Sequence, residues 1–218
     1  MGAGADTRWV RLWLAGTLML SALWLAARMT SGHRHGLAIP LLLAPGLVLA
    51  SLEFRDWQEV ERMAATASAV AGREVSVSCQ RLGGTFVDVG SELGYVEFDA
   101  QGRPDDIAHL EYDACEHLRD WLRSPKTDPT RDEVIAVHVL AHEAWHLRGE
   151  INEAITECSS LQRTAAVAES LGAAPVAAQR LAEAYWADVY PFMPGDYRSP
   201  ECVNGGDLDL DPASDLWP

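Results

Sequence analysis

The stretch from Thr130 to Arg148, TRDEVIAVHVLAHEAWHLR, constrains the fold more than any other part of the chain. Val134, Ile135, Val137, Val139, Leu140, Ala141 and Leu147 are too many apolar groups for a solvated helix, so residues 130–148 read as a mostly buried one. The same helix carries His138, His142 and His146 at four-residue spacing, with Glu143 among them. Ionisable groups in such surroundings are costly unless paired or bound to a cation. The fold must therefore bring partners to this face.

The rest of the chain supplies two different surroundings. Residues 1–52 hold four arginines against Asp6, whereas residues 53–218 hold 13 basic and 31 acidic groups. A domain this acidic repels phosphate backbones, which excludes nucleic acid as a partner. Residues 12–27, LWLAGTLMLSALWLAA, are uncharged and flanked by Arg8, Arg11, Arg28 and Arg34. A second apolar run, 37–50, is interrupted by Pro40, Pro45 and Gly46. These runs read as membrane segments or a signal region: a hairpin with the basic loop RMTSGHRHG inside, a signal anchor, or a signal sequence starting at Met29. Each version places the acidic domain outside the cytoplasm, tethered to the cell membrane in the first two. Cys79, Cys115, Cys158 and Cys202 all follow the apolar region and lack CxxC spacing, so two disulfides are expected, with the pairing open.

Within the acidic part, residues 53–72 predict an amphipathic helix ended by Gly72, serving as a stalk or as the first domain helix. REVSVSC, GYVEF and IAHLE are strand candidates, separated by turns at Gly83, Gly84, Gly90, Gly94 and Gly102. Helices follow at 112–123, 130–148, 151–171 and 175–189, and then an acidic tail over 191–218. The fold class is α+β, with a domain over 73–190.

The chemistry lies in His142-Glu143-Ala144-Trp145-His146. Spacing i, i+4 on a helix stacks two imidazoles that can grip one zinc ion, and Glu143 lies beside them. There its carboxylate can take a proton from metal-activated water and deliver it to a leaving amine. Gly149 stops the helix, and the next begins near Asn152-Glu153-Ala154-Ile155-Thr156-Glu157. If the two helices run antiparallel, Glu153 stands level with His146 and Glu157 with His142, so either acid can be the third ligand by spacing alone.

Here the sequence resembles the gluzincin metallopeptidases of the thermolysin type, whose HExxH is followed by NExxSD. NEAITE matches that second motif with Thr for Ser and Glu for Asp. The resemblance implies a zincin-like domain in which His142, His146 and Glu153 hold Zn2+, Glu157 orients His142, and Glu143 is catalytic. It covers about 16 residues, and only six separate His146 from Glu153, where the thermolysin type has a longer excursion. The metzincin pattern HExxHxxGxxH would place Asn152 at the third ligand, and asparagine is a poor zinc ligand. The segment with its downstream ECSSLQ also resembles a group of exported actinobacterial proteins of undefined role.

Other residues receive lesser roles. His138, which extends the histidine row, reads as a satisfied helix histidine, with support behind the metal ligands as the alternative, and His109 and His117 read as structural or exposed. Met193 reads as a packed methionine and IAHLE as a cleft edge that could pair with a peptide. Tyr185, Tyr190 and Tyr197 are candidate oxyanion donors. Asp207, Asp209 and Asp211 do not continue into a calcium loop, because Pro212 stands where glycine is required. The function expected is a zinc-dependent peptidase acting on a peptide or protein. The alternative is a non-catalytic zinc-binding sensor or scaffold at the cell surface, and a third reading keeps the hydrolysis but on another amide.

Overall fold

The computed structural model describes residues 7–29, 38–80, 93–214 and 217–218. The basic loop between the apolar runs and the turns expected at Gly83, Gly84 and Gly90 lie outside the described residues. The chain divides into two compact units, Met1–Glu59 and Val60–Pro218.

The first unit holds α1 (Thr7–Met29) and the opening part of α2 (Ala38–Ala71). Ala15 and Ala22 are buried, and Gly46 of α2 comes so near α1 that a Cβ on it would lie 3.3 Å from Met19 Cγ and 3.4 Å from Leu18 Cβ. Small residues thus let the two helices approach closely, while Trp13, Leu20, Leu23, Leu41 and Leu47 remain exposed. One expectation is corrected here. The apolar run 37–50 and the helix predicted over 53–72 are a single continuous helix, with Pro45 inside it. Pro40 falls in the first turn, where no N–H is needed, and Pro45 removes one interior hydrogen bond without ending the helix. Among the described residues, no helix is long and apolar enough to cross a membrane.

The second unit is α+β. The end of α2 contributes Met63, Ala67 and Ala71 at four-residue spacing, all buried. Gly72, at φ 74°, then turns the chain, a conformation that a side chain would strain. Three strands follow: β1 (Ser76–Cys79), β2 (Gly94–Phe98) and β3 (Pro104–Leu110). The sheet order is β1-β3-β2, with β1 parallel and β2 antiparallel to the central β3. Val77, Ala108 and Leu110 alternate inward to the core while Ser76, Ser78 and Tyr95 face out.

Four helices complete the unit: α3 (Tyr112–Arg123), α4 (Arg131–His146), α5 (Glu153–Ser170) and α6 (Pro175–Asp188). In α3, Ala114, Cys115, Leu118 and Trp121 form the buried stripe, and a disulfide from Cys115 to Cys79 ties it to β1. α4 begins with a capping box, in which Glu133 N donates to Thr130 Oγ1 and Thr130 N to the Glu133 carboxylate. α5 begins at Asn152, whose side chain accepts from Ile155 N. The turn between them uses Gly149 at φ 102°. Side-chain bonds from His142 to Glu157 and from Ser160 to the Ala141 carbonyl show that α4 and α5 run antiparallel.

The segment after α6 is fastened to the domain. Cys202 is disulfide-bonded to Cys158 of α5, and Gln162 holds Leu208 O at 2.9 Å and Leu210 N at 2.7 Å. The compact unit thus begins inside α2 and includes the residues expected to form a tail.

Candidate metal centre

The antiparallel α4–α5 pair brings three ligand-type atoms together. His142 Nε2 lies 3.0 Å from His146 Nε2 and 3.1 Å from Glu153 Oε2, and His146 Nε2 lies 3.3 Å from Glu153 Oε2. The opposite ring nitrogens are already committed. His146 Nδ1 is 2.7 Å from the Glu150 carbonyl oxygen, which can only accept, so Nδ1 donates and Nε2 is left to offer a lone pair. His142 Nδ1 donates to Glu157 Oε2 at 2.9 Å. Two ring nitrogens and a carboxylate oxygen therefore converge, and such a cluster demands positive charge at its centre. A buried His and Glu group of this composition can hold a metal ion.

The electrostatics carry the same message. Burial alone would favour neutral His142, yet hydrogen bonds to Glu153 and Glu157, with Glu143 nearby, raise its pKa to about 10. Glu153, against burial, is lowered to about 2 by His142 and His146. Without metal, the proton on His142 Nε2 supplies the central charge.

Glu157 is the hub beneath the site. It is 1% exposed, and its Oε2 accepts from His142 Nδ1 at 2.9 Å and from His138 Nε2 at 3.0 Å. Its Oε1 accepts the Tyr185 hydroxyl at 2.7 Å. Burial opposes its charge, but His138 and His142 overcome that and hold the carboxyl well below its usual range. Tyr185, buried beside this anion, is pushed well up. His138 also stacks on Tyr185 with ring centroids 3.6 Å apart and bonds Thr164 Oγ1 at 2.9 Å. His138, His142 and Glu157 form a second group of ligand type. Hydrogen bonds account for its contacts, so it serves as support for the first.

The first group faces a cleft of about 190 Å³ lined by Gly94, Tyr95, Val96, Phe98, Ile151 and Tyr197 together with His142, Glu143, His146 and Glu153. Phe98 meets the His146 ring edge-on with centroids 6.1 Å apart, and Tyr197 lies along the His142 ring at 5.8 Å. Glu143 is buried and takes part in lining the cleft.

The structure differs from expectation in the surroundings. IAHLE is not a cleft edge: it belongs to the central strand β3, and β2 is the edge strand that lines the cleft. Of the three tyrosines, Tyr185 is committed to Glu157 and Tyr190 bonds Ser199, leaving Tyr197 at the cleft. His109 stacks on Tyr95 and His117 is 4.0 Å from Asp132, both outside the cleft. Met193 packs partly buried against the core. Asp209 is occupied in accepting Gly205 N and Asp211 N, which closes a turn. Gly94, Phe98 and Ile151 had no local signature as cleft residues, because what joins them to α4 is tertiary.

Compared with protein-family models, with curated proteins and with solved structures, the chain matches none.

Proposed function

We propose that residues 60–218 form a zincin-like, zinc-dependent peptidase that works outside the cytoplasm, with His142, His146 and Glu153 holding Zn2+ and Glu143 moving the proton. The observation that carries this reading is the set of three donors on an open cleft with Glu143 beside them. The donor set fits the ion. Ligand atoms about 2.0–2.1 Å from a tetrahedral zinc stand about 3.3–3.4 Å apart, close to the 3.0–3.3 Å separations here. Two histidines and one glutamate are also the ligand set of several hydrolytic zinc sites, in which a fourth position stays open.

When bound, zinc would supply Lewis acidity toward a carbonyl oxygen and toward water. The chain's residues supply the rest. Glu143 accepts a proton from the attacking water and returns it to the amine nitrogen as the peptide bond breaks. Glu157 keeps His142 in the tautomer that presents Nε2, and the Glu150 carbonyl does the same for His146. β2, with one side unpaired among the described residues, offers main-chain groups along the cleft.

The open cleft favours an enzyme over a scaffold, since the three-donor group contains no fourth histidine, cysteine or acid among the described residues. Two disulfides support an extracytoplasmic location. Metal analysis of the full-length chain tests the site: one zinc per chain is expected, falling to a small fraction in His146→Ala. Cleavage of an internally quenched peptide pool by the zinc-loaded protein tests the activity. A zinc-loaded protein that cleaves nothing in the pool would favour the scaffold.

A further inference from the structure

Gly94 is the first residue of β2 and stands where that strand meets Glu143. A Cβ added to Gly94 would lie 2.9 Å from both Cγ and Oε1 of Glu143 and 3.0 Å from Cδ, against about 3.5–4.0 Å for ordinary carbon contacts. Backbone conformation does not require glycine here. The residues with left-handed φ are elsewhere, and Gly94 is paired with Leu110 in the ladder. Glycine in a strand forfeits packing and marks close approach by another group. At this position the approaching group is a buried carboxylate.

We infer that Gly94 is a positioning residue for Glu143: the missing side chain lets the carboxylate sit against β2, and that seat fixes its place beside His142 and His146. The catalytic consequence rests on the peptidase reading, whereas the seat itself is a matter of contact. α4 is held from behind against receding, because His138 and His142 bond Glu157 of α5 and Ser160 of α5 bonds the Ala141 carbonyl. A Cβ at position 94 would instead turn the Glu143 side chain away. Misplacing a catalytic group by about 1 Å can cost about 10²-fold in rate.

The test is a thermal unfolding cycle on the full-length, metal-free chain: wild type, Gly94→Ala, Glu143→Ala and the double variant. Gly94→Ala should lower Tm by about 2–8 °C in the wild-type background. In the Glu143→Ala background the obstruction is gone, and the same change should cost nothing or raise Tm slightly, because alanine restricts the unfolded chain. An equal loss in both backgrounds would overturn the seat. In parallel, zinc-loaded Gly94→Ala should keep the wild-type zinc content while its kcat on the peptide pool falls about 10- to 100-fold at unchanged KM. Unchanged kcat would overturn the positioning role. If the wild-type chain cleaves no peptide, the peptidase reading falls and the unfolding cycle still decides the seat.

Discussion

Glu157 accepts a hydrogen bond from His142 Nδ1 at 2.9 Å, while Glu153 stands 3.1 Å from Nε2 of the same ring. The two acids of α5 thus bracket one imidazole, and each has a different task. Glu153 is half-buried and faces both Nε2 atoms, so its carboxylate is available to a cation. Glu157 is fully buried and saturated by His138, His142 and Tyr185.

Zinc affinity should separate these tasks. Glu153→Gln removes a donor and is expected to weaken binding far more than Glu157→Gln, for which a loss of about 10- to 100-fold is the usual effect of a hydrogen-bonding partner behind a ligand. Competition titration against a chromophoric chelator measures both. The reverse order would make Glu157 the ligand.

The pH dependence of stability follows from the same bracket. His142 is raised in the folded, metal-free state to about 10, so its contribution is full below about pH 6.5 and is lost as pH rises through about 10. Glu153 is lowered to about 2, so its contribution is present above about pH 4.5 and is lost as pH falls through about 2. Both describe one interaction, which is complete between about pH 4.5 and 6.5. Melting curves in chelator should therefore show Tm falling between about pH 7 and 10. Saturating zinc should abolish that fall, because metal replaces the proton on His142. Parallel curves with and without zinc would contradict this assignment.

The disulfides close loops with sequence separations of 36 and 44 residues. Chain-entropy arguments give each about 4 kcal/mol against the unfolded state. Mass analysis of the native protein should find it about 4 Da lighter than the reduced form, two hydrogens per bridge, and proteolytic mapping should link Cys79 to Cys115 and Cys158 to Cys202. Four titratable thiols in the folded protein would refute the pairing. Cys202→Ser is expected to be the more informative variant, since it also loosens the segment that carries Tyr197 past the cleft.

The elements were legible wherever a local rule governs them. The helices around HExxH and NEAITE carry their own N-caps, Thr130 and Asn152, the helix at 112–123 shows itself by its apolar stripe, and the α4–α5 turn is marked by Gly149. Glu153 and Glu157 could be placed beside the histidines because antiparallel helices joined by a short turn keep a fixed register. Strand order was not legible. IAHLE and GYVEF have similar patterns, and which of them becomes the edge depends on the crossover from β1 to β3. His138 was legible as a satisfied helix histidine, but its partners were not, because Thr164, Glu157 and Tyr185 come from two other helices. The continuity of α2 through Pro45 was hidden for another reason: proline lowers helix propensity, and packing of Gly46 against α1 overrides it.

Glu143 provides the sharpest separation between enzyme and scaffold. It lines the cleft with His142 and His146, yet it belongs to neither group of converging ligand-type atoms. Glu143→Gln keeps the size of the side chain and removes its basicity, so the folded protein should bind zinc as the wild type does. Turnover of any cleaved peptide should nevertheless fall by about 10²- to 10⁴-fold, the range for loss of a general base. Zinc content, Tm and kcat measured on one preparation decide the matter. A variant that keeps its zinc and also keeps wild-type kcat would remove Glu143 from the reaction. One that loses its zinc would make Glu143 part of the metal site and assign it the scaffold's role.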